Sequence, residues 1–213
     1  MNISLEEAVK IIEKGGIIIF PTDTAFGIGC RIDSEQATER LFEIRKRPKD
    51  KAVPVLFESI ERVKEYALPF DQEVENLMNK YWPGALTIVL KCKVYKVPNL
   101  ARGGKDTLGV RIPNYKPLIE LIKKVGVPII GTSANFAGKP TPFTIDELDQ
   151  GLVKQVDGVL QGVSLQKGNK QTSTVVDCTS KLWKILRQGS VKPDVQSYFT
   201  SGVKYVDTSG NKH

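Results

Sequence analysis

The order of periodic segments predicts a single α/β domain with a twisted mixed sheet flanked by helices. Three observations carry this. Unbroken hydrocarbon runs, "IIIF" at 17–20 and "VPII" at 127–130, ask for cover on both faces, as buried strands have. Segments with apolar residues at helical spacing alternate with such runs along the chain. No repeat, low-complexity segment or linker divides the 213 residues, a length that suits one domain with a sizeable core.

Ser4 to Lys14 opens with a capping box, Ser4 with Glu7, and carries Leu5, Ala8, Val9 and Ile12 on one face. Gly15 and Gly16 end it, and "IIIF" follows as a buried strand. Residues 34–47 read as a second helix stopped by Pro48, with Ala37, Leu41 and Ile44 on one side. "VPVLF" (53–57) is a strand, and Ser59 to Ala67 and Asp71 to Tyr81 are helices. "ALTIVLKC" (85–92) and "LGVRIP" are strands separated by a loop at 93–107. Pro117 to Val125 is a helix closed by Gly126, and "VPIIGTSAN" is one strand running into polar residues. A short acidic helix falls near 144–150, followed by strands at "DGVLQG", "STVVDC" and "WKILRQG". The domain is expected over 1–192, with 193–213 a loosely held tail that lacks periodicity.

Composition narrows the chemistry. The net charge of +7 suits an anionic partner, or a lysine-rich solvated surface. The one histidine, His213, is the last residue, which excludes histidine-based acid–base or nucleophilic catalysis. Three cysteines lie far apart without a C-x-x-C, against zinc and a disulfide framework and in keeping with a reducing cytosol. No apolar run approaches the ~20 residues of a membrane span, and the N-terminus is not patterned as a signal peptide, so a cytoplasmic protein without membrane contact is expected.

Three strand ends carry polar groups. "IIIF" runs into "PTDT", "PIIG" into "TSAN", and "KILRQG" finishes with Arg187. Ligands of open α/β sheets bind at such ends. Thr22, Thr24 and Asp23 either close and cap a turn or help cradle a ligand, with Gly27 and Gly29 permitting close backbone approach. In an extended segment Ser133 and Asn135 face one side, beside Thr132. The run "RKRPKDK" holds five cations in seven residues, Arg45, Lys46, Arg47, Lys49 and Lys51. It reads as helix C-terminal compensation, as a polyphosphate clamp or as an RNA patch. On a continuous helix Arg45 and Arg47 point apart and share a target only if the helix frays before Pro48. No Walker-type P-loop is present, and Ser133 has no base to make it a nucleophile. What remains is chemistry by positioning and charge stabilisation, as in phosphoryl or nucleotidyl transfer.

The ordered set "FPTDTAFGIGC", an R-x-R before "PKDK", "YWPGALTIVL", "GVRIP", "GTSAN", "STVVD" and "ILRQG" resembles the YrdC-like family of threonylcarbamoyl-AMP synthases over roughly residues 5–191. The chain resembles the short, single-domain form. The resemblance implies a concave basic cavity in which L-threonine, bicarbonate (or CO2) and ATP give threonylcarbamoyl-AMP and pyrophosphate, with Mg2+ accompanying ATP. It also implies downstream tRNA threonylcarbamoyl transferase proteins, which modify adenosine 37 of tRNAs reading codons that begin with A.

Carried over by position, Arg45 and Arg47 would be catalytic. Thr22, Thr24, Arg47 and Ser173 would hold threonine. Arg45, Lys51, Thr132, Ser133, Asn135 and Arg187 would hold the nucleotide. Arg111 of "GVRIP" is family-typical and open to a structural role. Arg45 stands where the family has lysine, and the family's K-P is spread into "KAVP". The rival reading is a non-catalytic module binding double-stranded RNA or tRNA directly on the basic face. A carbamoyl-adenylate former akin to hydrogenase-maturation domains is a further alternative.

Overall fold

The computed structural model describes residues 2–161 and 170–193. In chain order the strands are β1 (Asn2–Ile3), β2 (Ile18–Phe20), β3 (Gly27–Gly29), β4 (Val55–Leu56), β5 (Leu86–Lys91), β6 (Thr107–Arg111), β7 (Ile129–Ile130), β8 (Thr132–Ser133), β9 (Gly158–Leu160), β10 (Thr174–Asp177) and β11 (Lys184–Arg187). The helices are α1 (Leu5–Glu13), α2 (Glu35–Arg45), α3 (Ile60–Tyr66), α4 (Gln72–Tyr81), α5 (Lys116–Val125) and α6 (Gln150–Val153). The mixed α/β character holds. The expected tail, beyond Pro193, lies outside the described residues.

Where one sheet is expected, the strands divide into two. The first runs β1-β9-β2-β3-β8 and the second β11-β10-β5-β6-β4-β7. The segment read as one strand at 127–135 is the bridge between them. β7 pairs with β4 in the second sheet, β8 pairs with β3 in the first, and Gly131 lies between. A Cβ at Gly131 would sit 2.3 Å from the Leu56 side chain, so only glycine lets the chain cross there.

Apolar burial forms two clusters that meet at the first sheet, Ile18 and Phe20 entering one and Ile19 and Ile28 the other. Ala8 and Ile12 of α1 and Leu118, Leu121 and Ile122 of α5 pack with Ile18, Phe20 and Leu160. The larger core joins α2, α3 and α4 to β4, β5 and β6, with Leu41, Val63, Leu77, Met78, Ile88 and Val110 at its centre. The three cysteines are free and buried; burial pushes the Cys30 thiol up to about 12 and raises that of Cys178 as well. Such thiols stay protonated and unreactive at neutral pH.

The helix ends explain where side chains go. Ser4 and Glu7 form the expected reciprocal cap, Ser4 N–H donating to Glu7 Oε2 at 2.8 Å and Glu7 N–H to Ser4 Oγ at 3.3 Å. Helix α2 stops at Arg45, earlier than Pro48 suggests. Lys46 adopts a left-handed conformation at φ 51°, and its N–H and that of Arg47 turn back to Glu43 O and Phe42 O. The acidic helix near 144–150 resolves into a 3-10 turn, Ile145–Glu147, followed by α6.

Candidate functional site

A cavity of about 370 Å3 opens over the second sheet and is rimmed by the first. Its floor comes from alternate residues of β5 and β6: Thr87 and Val89, then Thr107, Gly109 and Arg111. β10 and β11 add Val175, Leu186 and Arg187, and the "PTDT" turn, β3 and β8 supply Thr22, Thr24, Gly27, Thr132 and Ser133. A strand pattern of period two puts every second residue on one face, so threonines among hydrocarbons in β5 and β6 mark the floor. The volume is that of a small-molecule site.

The turn after β2 spends its hydroxyls internally. Thr22 Oγ1 donates to Ala25 O at 2.7 Å and accepts from the N–H groups of Thr24 and Ala25 at 3.1 and 3.2 Å. Thr22 thereby closes the turn and shapes the wall together. Asp23 does not cap it; its Oδ1 accepts from Arg111 Nη2 at 2.5 Å. Arg111 Nε donates to Gly84 O and Nη1 to Thr24 Oγ1, so this arginine braces the turn from the cavity floor.

Arg45 and Arg47 part at the left-handed Lys46. Arg45 is 2% exposed and points behind the wall, away from the cavity lining. Its Nε donates to Asn135 O, Nη1 to Thr132 Oγ1, and Nη2 to Ser133 Oγ and Asn135 Oδ1, at 2.9 to 3.4 Å. Burial, reinforced by Arg47, lowers its pKa to about 10, still charged at neutral pH. Arg47 lies on the wall; Nε and Nη2 donate to the carbonyls of Lys51 and Ala52 at 3.0 and 2.6 Å. Its Nη1 has no partner among the described residues. Burial lowers the Arg47 pKa too, against the opposing pull of Asp50.

On the opposite side Ser173 Oγ shares a hydrogen bond with Thr87 Oγ1 at 2.9 Å, and Arg187 donates to Ser173 O and Oγ. Burial, with Arg111 close by, lowers the Arg187 pKa.

The structure therefore brings Thr22, Thr24, Arg47, Thr132, Ser133, Ser173 and Arg187 to one cavity. It does not bring Arg45, Lys51 or Asn135 to its wall. Lys51 is exposed, its ammonium 3.7 Å from Asp50. Asn135 and Ser133 converge as expected, their side-chain oxygens accepting from the same Arg45 Nη2, but Asn135 stays off the cavity wall, its N–H turning back to Ser133 O. Its Nδ2 donates to Phe136 O and Lys139 O. Gly29 serves packing, since a Cβ there would meet Ile130 O at 1.6 Å, and Gly27 clears the Phe20 ring. Lys105, Thr87 and Thr107 join the wall unpredicted; the strand alternation signalled the threonines, whereas nothing in the loop singled out Lys105.

An α/β cavity walled by hydroxyls and guanidiniums defines a small-molecule site for anionic ligands. Residues 10–189 match the Sua5/YciO/YrdC family model, described as "Telomere recombination", and the chain belongs to that family. The threonylcarbamoyl-AMP synthase of Pyrococcus abyssi is 33% identical over 184 residues, 86% of this chain and 53% of that protein. Escherichia coli YciO, named as uncharacterized, is 31% identical over 192 residues, 89% of this chain and 91% of that one. The solved structure of P. abyssi Sua5 complexed with L-threonine matches with a TM-score of 0.81 at 30% identity, covering 89% of this chain and 57% of that one. The chain spans about half the length of the first curated relatives it matches.

Proposed function

We propose that the protein is a nucleotidyltransferase that forms L-threonylcarbamoyladenylate and pyrophosphate from L-threonine, bicarbonate or CO2, and ATP. The observation that carries this reading is the pairing, in one cavity, of the Thr22–Thr24 turn with Arg47 and Arg187. It is supported by relatives named threonylcarbamoyl-AMP synthase and by a related structure complexed with L-threonine. The same comparisons favour it over a non-catalytic RNA-binding module.

The threonine amine adds to CO2, losing a proton, to give a carbamate. A carbamate oxygen attacks the α-phosphorus of ATP; the new O–P bond forms as the bond to the bridging oxygen breaks and pyrophosphate leaves. Holding both substrates in one cavity contributes by proximity. The free Nη1 of Arg47 stabilises charge that develops on the departing pyrophosphate, and Arg187 steadies Ser173 beside the substrates. Arg45 acts behind the wall by fixing Thr132 and Ser133.

Among the described residues no three histidine, cysteine or carboxylate groups come together to hold a metal. Mg2+ is proposed to arrive on the phosphates of ATP, as that ion does where substrate supplies most of its ligands. The product would pass to downstream tRNA threonylcarbamoyl transferase proteins, with tRNA contact on the basic surface as a further proposal. No helix among the described residues is long and apolar enough to cross a membrane, and a cytoplasmic location is proposed with the function.

The test is pyrophosphate release from ATP with bicarbonate, with and without L-threonine, and with L-serine as the near-miss. Release that needs both threonine and bicarbonate is expected. Release indifferent to threonine would point to another acyl group. No release, together with salt-sensitive binding of double-stranded RNA, would favour the RNA module.

A further inference from the structure

Lys105 is the one cavity-wall lysine, and the mechanism above leaves it without a role. Its ammonium makes no hydrogen bond or ion pair among the described residues. A surface lysine is ordinarily just solvated; here the backbone beneath it is fixed. Val53 N–H donates to Ala101 O at 3.0 Å. Gly103, at φ 59°, lies so close to the neighbouring chain that a Cβ would sit 2.7 Å from both Ala52 N and Asp50 O. Arg102 holds the loop from within, donating to Val97 O at 3.1 Å and to Lys105 O. The loop is thus seated on residues 50–53, and the carbonyls of Lys51 and Ala52 are the ones that anchor Arg47. Lys105 and Arg47 stand on two segments locked to each other.

Of the four wall cations only Arg111 has a carboxylate partner among the described residues; Arg187, like Arg47 and Lys105, has none, but it stands on β11 and not on the two locked segments. Arg111 has Asp23 against its guanidinium. Arg47 is held by carbonyls alone, and its free Nη1 remains. Of the carboxylates nearby, Asp50 lies against the Lys51 ammonium and Asp106 is exposed without an ion pair to Lys105. Two cations on one edge with no acid in contact favour a ligand carrying several negative charges.

We propose that Lys105 and Arg47 form the subsite for the outer phosphates of a nucleoside triphosphate, the part that departs as pyrophosphate. The inference rests on the nucleotide reading above for the identity of the ligand. It makes Lys105 a substrate-contacting residue that distinguishes triphosphate from monophosphate.

The test is calorimetric titration of the full chain, wild type, Lys105→Ala and Lys105→Arg, with inorganic tripolyphosphate, ATP and AMP. Lys105→Ala is expected to weaken tripolyphosphate and ATP about tenfold or more, the scale of a lost charge-assisted contact, while AMP changes less than about twofold. Lys105→Arg should recover most of the loss. Equal affinity of wild type and Lys105→Ala for tripolyphosphate overturns the subsite, as does an equal loss for AMP. A wild type that binds tripolyphosphate through Lys105 but neither nucleotide keeps the subsite and removes the nucleotide reading. A wild type that binds ATP without help from Lys105 does the reverse, and one that binds none of the three overturns both.

Discussion

Arg111 reaches from the floor strand to the turn after β2, its Nη2 donating to Asp23 Oδ1 at 2.5 Å with both side chains largely withdrawn from water. The pair is a brace between the two sheets' contributions to one cavity. Arg111→Ala leaves the Asp23 carboxylate without its counterion and should destabilise the fold by about 3–5 kcal/mol. Asp23→Ala strands the guanidinium in turn. A double-mutant cycle by urea denaturation should give a coupling of about 1–3 kcal/mol. Coupling near zero would mean that each residue acts independently of the other.

Arg47 differs in kind, because its backbone-anchored guanidinium leaves Nη1 uncommitted at the cavity. Arg47→Ala should lower the rate of pyrophosphate release by about 100- to 1000-fold, the usual scale for losing one preorganised donor to developing charge. Far-ultraviolet circular dichroism should be unchanged. Release at the wild-type rate would remove Arg47 from the mechanism.

Thr22 presents a sharper test of substrate selection. Its hydroxyl both donates to Ala25 O and accepts two backbone N–H groups, so Thr22→Val loosens the turn that faces the cavity. Threonine affinity should fall about tenfold while ATP affinity holds, since a turn hydroxyl left unmade costs on the order of 1–2 kcal/mol. Thr22→Ser keeps the hydroxyl and should retain binding. Equal losses for both ligands in calorimetry would contradict a threonine-side role.

The long elements and the three polar strand ends were legible in the sequence because period and hydrocarbon content are local signals. The "PTDT" and "TSAN" ends do meet at one cavity through β3 and β8. What was hidden lies in geometry that no period encodes. β3 is three residues with two glycines and carries no strand signal; it exists because Ile130 O and the Phe20 ring need the space a Cβ would fill. A two-residue β7 and β8 read as one strand, since nothing but the Leu56 side chain against Gly131 marks the crossing. The "RKR" run reads as one patch, yet a single left-handed lysine turns its two arginines to different tasks.

Acid sensitivity should come from two aspartates remote from the cavity. The Arg31 guanidinium holds Asp33 below the usual carboxylate range. Asp157 is raised by burial but carried lower still by Arg40 and the Ile17 N–H. Both are depressed in the folded state. Their contribution is therefore complete above the unfolded value near about 3.9 and is lost as pH falls through it toward the folded values. Urea midpoints should be flat from about pH 5 to 8, where the one histidine is the terminal His213, and drop below about pH 4. Asp157→Asn should flatten that drop; an unchanged slope would place the acid sensitivity elsewhere.

Arg45 stands where the resemblance implies a lysine, and its surroundings are fitted to a planar fork. Four hydrogen bonds diverge from three nitrogens to Thr132, Ser133 and both oxygens of Asn135. A lysine ammonium has three donors at one point and cannot span acceptors spread along that segment. Arg45→Lys should therefore cost about 1–3 kcal/mol, because at least one buried acceptor loses its donor. Turnover should fall less than in Arg47→Ala, with the Michaelis constant for ATP rising as Thr132 and Ser133 lose their support. Arg45→Ala removes every one of these donors and should lower the thermal midpoint further. If Arg45→Lys instead raises turnover at unchanged stability, the side chain at this position reaches the phosphates directly, and the bracing role assigned here to Arg45 fails.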